Sequence, residues 1–312
     1  MRVLLAGATG FLGRHVWQAL TDRGARVTTV GRRRPSWSPR HHSLDLADPG
    51  GAALGALLGA GGPAVLVNCA GATRADLPTL AAANIDIPAG LVAAAAGRPV
   101  RLVHVGSAAE YGWVEPGRHS VETDPAAPVG AYGLSKLAGT RVVTAARALG
   151  VDAVVLRVTN PVGPGAPAGS LAGDLVAQVR RARTGAGIGA VRVGPTDAVR
   201  DFVDVRDVAY AVVAATEADA LTAPVVNVGS GRATAVKELV DTLVAVAGYH
   251  GEVHHDGGGS ARTAAVPWQC ADVGTARSAL GWQPRLSLRT ALADLWREPA
   301  WTPSASPNVE WS

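Results

Sequence analysis

Gly7-Ala8-Thr9-Gly10-Phe11-Leu12-Gly13 follows a short apolar run at residues 3–6 without a break and opens a helical pattern. Glycine at these positions lets the backbone turn tightly and come close to a pyrophosphate. The helix that starts there offers free N–H groups and a positive dipole end. A glycine triplet alone carries little weight. Set at residue seven, between strand and helix, it makes the chain begin as a β-loop-α unit built to meet a phosphate group.

The first half of the chain repeats that rhythm. Residues 26–30, 64–68, 101–106 and 151–157 read as strands, and residues 15–23, 80–96 and 131–149 as the helices between them. Such alternation implies right-handed βαβ units on a parallel sheet. The expected fold is α/β, a doubly wound parallel sheet over residues 1–160 with a smaller C-terminal lobe, mainly residues 161–297. Residues 160–169, rich in Pro and Gly, mark the crossing, and residues 207–215 and 225–228 are expected to return to the sheet. Residues 298–312 show no period and read as a mobile end. The Ala-rich helices of the first half suit pairing with a second copy, so a homodimer is expected.

The formal charge of +4 does not point to nucleic acid, because the 29 Lys and Arg are spread out and Arg32-Arg33-Arg34 is the one dense run. A nucleic-acid surface needs a wider basic stripe, so the expected partner is an anionic small molecule. Cys69 and Cys270 are too far apart to suggest a disulfide framework or a CxxC metal site. His41-His42 and His254-His255 have no carboxylate or cysteine at ligand spacing and read as loop residues, so no metal is expected. The N-terminal apolar run is too short for a signal peptide, and residues 52–58 and 91–96 fall below a membrane span. A soluble cytoplasmic protein without membrane contact is expected.

Tyr132-Gly133-Leu134-Ser135-Lys136 places a phenol and an ammonium four residues apart, on one helix face. The lysine lowers the phenol's pKa, and the tyrosine can then give or take a proton. Val105-Gly106-Ser107-Ala108-Ala109-Glu110-Tyr111-Gly112 follows a strand and sets Ser107 some 25 residues before that tyrosine.

The GxxGxxG spacing, Ser107 and the YxxxK segment, in this order, resemble the extended short-chain dehydrogenases (the NAD-dependent epimerase/dehydratase group). The likeness runs to about Leu288. It implies a Rossmann sheet with Gly7, Thr9, Gly10, Phe11, Leu12 and Gly13 at the cofactor pyrophosphate. It also implies a substrate site in the smaller lobe. Gly31 stands where NAD-preferring relatives carry Asp, and Arg32 and Arg33 can accommodate a 2′-phosphate, so NADP(H) is expected over NAD(H), with NAD(H) possible. Asp45 and Leu46 resemble the adenine-contacting pair, and Asn68-Cys69-Ala70-Gly71 the loop beneath the adenosine ribose. Asn84 matches an asparagine near the active site.

By the same likeness Tyr132 is the proton donor, Lys136 holds the nicotinamide ribose and Ser107 bonds the substrate oxygen. Asn160, Arg200 and Arg262 match positions that contact substrate phosphates, which implies a nucleotide-sugar substrate. Dehydratases of the group carry an Asp-Glu pair after the catalytic threonine. Ala108 and Ala109 stand there and cannot do acid–base chemistry. The expectation is an NADPH-dependent ketoreductase of a nucleotide-activated keto-sugar. The alternatives are an NAD-dependent 4-epimerase, a ketoreductase of a polyketide or aglycone carbonyl, and a dinucleotide-sensing regulator.

Overall fold

The computed structural model describes residues 1–47, 52–59, 62, 64–184, 190–255 and 266–298. Its strands are β1 (Arg2–Ala6), β2 (Arg26–Gly31), β3 (His41–Ser43), β4 (Val65–Asn68), β5 (Arg101–Ser107), β6 (Asp152–Val158), β7 (Asn160–Val162), β8 (Val191–Arg192), β9 (Val199–Asp204), β10 (Val225–Val228), β11 (Ala233–Ala235) and β12 (Val253–His254). The helices are α1 (Phe11–Asp22), α2 (Ala52–Leu57), α3 (Leu77–Ala81), α4 (Ile87–Ala95), α5 (Gly130–Ala145), α6 (Leu171–Arg183), α7 (Val205–Glu217), α8 (Val236–Val246), α9 (Gly274–Leu280) and α10 (Leu288–Arg297).

Seven strands form one sheet in the order β10-β6-β5-β4-β1-β2-β3, and each neighbouring pair is parallel. Order reverses between β1 and β4, and a crevice opens at the carboxyl ends of strands at such a switch point. Both faces of the sheet are covered, which is why its strands read as near-continuous apolar runs. Val3 and Leu5 of β1 point to one layer with Val16 and Leu20 of α1 and Val208 and Val212 of α7. Leu4 and Ala6 point to the other, with Leu91 and Ala94 of α4 and Val143 of α5. The lobe has its own core, in which Val162, Leu175, Phe202, Leu239, Leu243 and Leu292 meet.

Three expectations change. His254 closes strand β12 with Val253 and is not a loop residue, while His255 follows the strand. Residues 225–228 do return as an edge strand, whereas residues 207–215 lie in helix α7, packed beside α1 on the outside of the sheet. His41 and His42 are not loop residues but begin the edge strand β3, where the Thr29 hydroxyl and His41 Nδ1 are 3.0 Å apart.

Leu77–Ala95 forms one unbroken helical run of 19 residues with mean hydropathy 1.3, long and apolar enough by those measures to cross a membrane. The sequence suggested a shorter helix. Leu80, Asn84, Pro88, Leu91, Ala94 and Ala95 are its buried positions, a helical period facing α5 and β5. The run is thus a covering layer of the sheet, held at its centre by a polar asparagine.

Candidate active site

The three loop glycines have three different reasons to be glycine. Gly7 has φ +77°, and a Cβ there would lie 2.3 Å from Ala70 N, so the loops after β1 and β4 touch backbone to backbone. Gly13 packs on Gly7 itself, with a Cβ 2.1 Å from Gly7 O. Gly10 meets far less inside the protein, since Gly7 O at 3.2 Å is its one near neighbour. It is the N-cap of α1 and makes no side-chain cap bond, and with Thr9 it is exposed. The first-turn N–H groups of α1, from Phe11 and Leu12 onward, have no side-chain acceptor at the cap. They leave a cradle suited to an anion.

Ser107 ends β5 and starts a single 3-10 turn with a reciprocal capping box. Its Oγ accepts from the Ala109 N–H at 3.2 Å, while its own N–H donates to Glu110 Oε1 at 2.8 Å. Among the described residues the serine hydroxyl has no acceptor for its own hydrogen, which leaves it for an outside one.

Tyr132 and Lys136 stand one turn apart on α5, the tyrosine half-buried and the lysine buried. Lys136 Nζ donates to Val105 O at 2.6 Å, which ties α5 to β5. Burial pulls this ammonium down to about 8, opposed by the charge of Glu110.

Asn84 is fully buried in one turn of π-helix at Ala82–Asp86. Its Nδ2 donates to Ala72 O and Ser135 Oγ, both at 2.9 Å, and its Oδ1 accepts from the Ala72 N–H. Ser135 in turn donates to Tyr132 O. A Cβ on Gly139 would lie 2.2 Å from Asn84 O, so α5 crosses the π turn at glycine contact. Such wide turns often mark functional positions; here the turn aims an amide at the YxxxK segment.

Beneath the site, Asn68 Nδ2 donates to His104 Nδ1 at 2.9 Å, and Asn68 Oδ1 accepts from the Ala70 N–H. Burial and the Lys136 charge hold His104 neutral. Burial also pushes the Cys69 thiol up to about 12, so Cys69 is a small wall residue beside Ala70 and Gly71. Gly71 keeps room near Asn84 Oδ1 and Lys136 Nζ.

On the other side of the crevice, Arg32 and Arg33 follow β2, exposed and with no hydrogen-bond or ionic partner among the described residues. Arg34 instead donates to Ser38 O and Pro39 O. Asp45 accepts from the Ala47 N–H, and Leu46 packs on the sheet core.

In the lobe, Asn160 Nδ2 donates to Asp201 O at 3.1 Å and Gln269 Oε1 at 3.0 Å, so both of its amide hydrogens are engaged. A phosphate there would have to displace one of these bonds. Arg200 lies on β9 with Nη1 donating to Val199 O. The buried carboxylate of its neighbour Asp201 accepts from the N–H groups of Ser230, Gly231 and Ala271, which fastens three segments together. Arg262 lies outside the described residues.

Sequence reasoning assigned no role to Asp201, Gln269, Ser135 or Glu110. Their roles depend on contacts with distant segments, so the sequence carries no local signal for them.

The residues fit a nicotinamide dinucleotide: a side-chain-free cradle at a helix N-terminus, a buried ammonium without an ion pair among the described residues, and exposed arginines at the end of β2.

The family model of the NAD dependent epimerase/dehydratase family matches residues 3–229. The dTDP-6-deoxy-L-talose 4-dehydrogenase (NAD(P)(+)) of Kitasatospora kifunensis is 38% identical over 310 residues, covering 97% of each chain. MoeE5, solved in complex with UDP-glucuronic acid and NAD, superposes with a TM-score of 0.81 at 28% identity over 96% of this chain and 100% of that one. RMD from Pseudomonas aeruginosa, complexed with NADPH, has the same fold, with a TM-score of 0.81 at 24% identity over 95% of this chain and 98% of that one. With the glycine cradle, the Ser107, Tyr132 and Lys136 positions and these likenesses in agreement, the chain belongs to the NAD-dependent epimerase/dehydratase family and is an enzyme of the extended short-chain dehydrogenase type.

Proposed function

We propose that this enzyme interconverts a ketone and an alcohol at the 4-position of a nucleotide-activated 6-deoxyhexose, reducing the ketone with NADPH. The observation that carries the reading is the relative that matches over nearly its whole length and is named a 4-dehydrogenase with NAD(P)(+). Arg32 and Arg33, exposed without partners among the described residues, favour NADP(H). Ala108 and Ala109 offer no acid–base pair for dehydration.

A bound nicotinamide supplies the hydride. The chain's own groups do the rest. Ser107 donates its hydroxyl hydrogen to the substrate oxygen, and Tyr132 delivers the proton that completes the alcohol. Lys136 holds a positive charge beside the phenol and eases that transfer. Arg200, with Arg262, grips the diphosphate through forked, charge-assisted bonds. In the lobe Asn160 serves as a neutral contact by exchanging one of its internal bonds.

The working unit is a homodimer paired through α3 and α5, which lie side by side and leave Leu77 and Leu134 66% and 60% exposed. Leu134→Glu should then yield monomers in sedimentation.

The deciding experiment is the spectrum and anion-exchange profile of cofactor released from purified protein, followed by assay with a dTDP-4-keto-6-deoxyhexose. Stoichiometric NADPH consumption is expected. Tightly retained NAD with no net consumption would replace this reading with a 4-epimerase.

A further inference from the structure

Glu110 lies outside the catalytic set, fully buried between the end of β5 and α5. Its Oε1 accepts from the Ser107 N–H at 2.8 Å and from the Thr140 hydroxyl at 2.9 Å. Thr140 stands one turn beyond Lys136 on the same face of α5. Oε2 accepts from Arg157 Nε on β6 at 2.8 Å, and the Arg157 guanidinium lies 4.7 Å over the Tyr111 ring. Gly106 makes the arrangement possible, because a Cβ there would lie 2.9 Å from Glu110 Oε1 and 2.7 Å from Val155 Cγ1. A carboxylate this deep persists when ionic and hydrogen-bonding partners together offset its desolvation.

We propose that Glu110 is a positioning residue: its carboxylate holds the Ser107 backbone and the Lys136 helix in register and is the negative charge that Lys136 faces. This rests on the reading of Ser107, Tyr132 and Lys136 as the catalytic set.

The mechanical part follows from connectivity. Ser107 and Lys136 sit on different elements, and the bonds spanning β5 and α5 here run through Glu110 and through Lys136 to Val105 O. Geometric errors in such a pair are costly to catalysis.

The electrostatic part follows from the surroundings of Lys136. Among the described residues the titratable groups facing it are Glu110, Cys69 just after β4, His104 on β5, and Tyr132 on its own helix. Burial keeps Cys69 a thiol and His104 an uncharged imidazole. Tyr132 is a neutral phenol while it has a proton to give. Arg157, on the far side of the carboxylate, is bound to Glu110 rather than to Lys136. Glu110 therefore carries the negative charge that opposes the desolvation of the ammonium.

Lys136 and Lys237 are the two lysines of the chain, so 13C-lysine NMR reads Lys136 directly, without substrate or cofactor. Lys237, exposed and paired with Asp241, serves as the internal reference. In Glu110→Gln the Lys136 midpoint should fall by at least about half a unit, since removing a nearby negative charge favours the neutral amine. Lys237 should not move.

Thr140→Val keeps the charge but cuts the tie to α5. Its Lys136 midpoint should stay in place, while kcat for ketone reduction falls about fivefold, the equivalent of one lost hydrogen bond. Thr140→Ser should restore it. A folded Glu110→Gln protein with an unmoved Lys136 midpoint overturns the proposal. If that variant does not fold, unchanged kcat in Thr140→Val overturns it instead. Tyr132→Phe is the control on the underlying reading: retained turnover there discards the catalytic assignment, while the NMR titration still judges Glu110 by itself.

Discussion

The two ends of the cofactor crevice are built on opposite principles. At the β5–α5 end, Lys136 is 5% exposed and Asn84 and Glu110 are wholly buried, each bonded to a neighbouring element. At the β2 end, Arg32 and Arg33 stand in water. Charge in a dry site interacts strongly and is expensive to leave unmatched, whereas charge in water is screened and cheap to change. A substitution should therefore be decisive at the dry end and only adjust preference at the wet one.

Lys136→Met tests the dry end hardest, because activity and stability should move in opposite directions. The folded lysine titrates at about 8 against an ordinary 10.5, a shift worth roughly 3 kcal/mol. The sign follows from a depressed lysine. Below about 8 the fold must hold a charged ammonium that the unfolded chain holds more easily. That penalty is fully present at neutral pH and is relieved as pH rises from about 8 towards 10.5. Lys136→Met should abolish turnover, raise the midpoint of urea unfolding at pH 7, and lose that advantage by about pH 10. A variant less stable than the unmodified protein at pH 7 would show that the lysine is a structural asset.

Tyr132→Phe removes the proposed acid and keeps the shape. Turnover should fall by about 100-fold or more, the range for losing a positioned proton donor, with the thermal midpoint nearly unchanged. Steady-state assay beside a melting curve checks both. A correctly folded variant with normal kcat would take the phenol out of the chemistry.

The substrate side lies between the two extremes, since Arg200 is half-buried on β9 next to the Asp201 knot. Arg200→Ala should raise KM for the nucleotide sugar by about tenfold, because a charge-assisted phosphate bond contributes more than the roughly 1.4 kcal/mol which that factor represents. Affinity for the cofactor should hold. Calorimetric titration with UDP and dTDP, NADP present, provides the check. If neither binds at millimolar concentration, the nucleotide-sugar reading falls and an uncharged aglycone becomes the better substrate class.

Local features made most of the fold legible. The glycine loop needs its sequence neighbours alone, and strands buried on both faces announce themselves as apolar runs. That Tyr132 and Lys136 share one face was legible because a four-residue spacing survives any packing of their helix, while their roles remain part of the proposal. What stayed hidden depends on contacts between distant segments. Nothing in His41-His42-Ser43 is apolar, so edge strand β3 has no pattern to show. The run 207–215 is apolar in both helical and strand periods, and α1, lying far away in sequence, decides for a helix. Asn160 has a phosphate-binding look in sequence, while its two bonds to Asp201 and Gln269 exist in three dimensions alone. Glu110 is invisible for the same reason: nothing adjacent in sequence says that Arg157 and Thr140 will meet it.

The wet end gives the smallest effect and the sharpest test of the division. Exchanging Gly31 for the aspartate of NAD-preferring relatives is a poor probe, since Gly31 has φ +155°, a conformation that strains any residue with a Cβ. Arg32→Ala leaves the strand end untouched. An exposed cation contributes at most about 1 kcal/mol to a phosphate contact, so KM for NADPH should rise about two- to fivefold while KM for NADH stays put. The effect should shrink further as salt rises from 0.05 to about 0.5 M, where the screening length drops below the span of the contact. Tyr132→Phe should show no such salt dependence, because it removes a neutral proton donor and not a contact between charges. An Arg32→Ala effect of 100-fold, or one indifferent to salt, would mean that the bound cofactor buries this arginine. In that case the β2 end would belong with the dry side of the comparison.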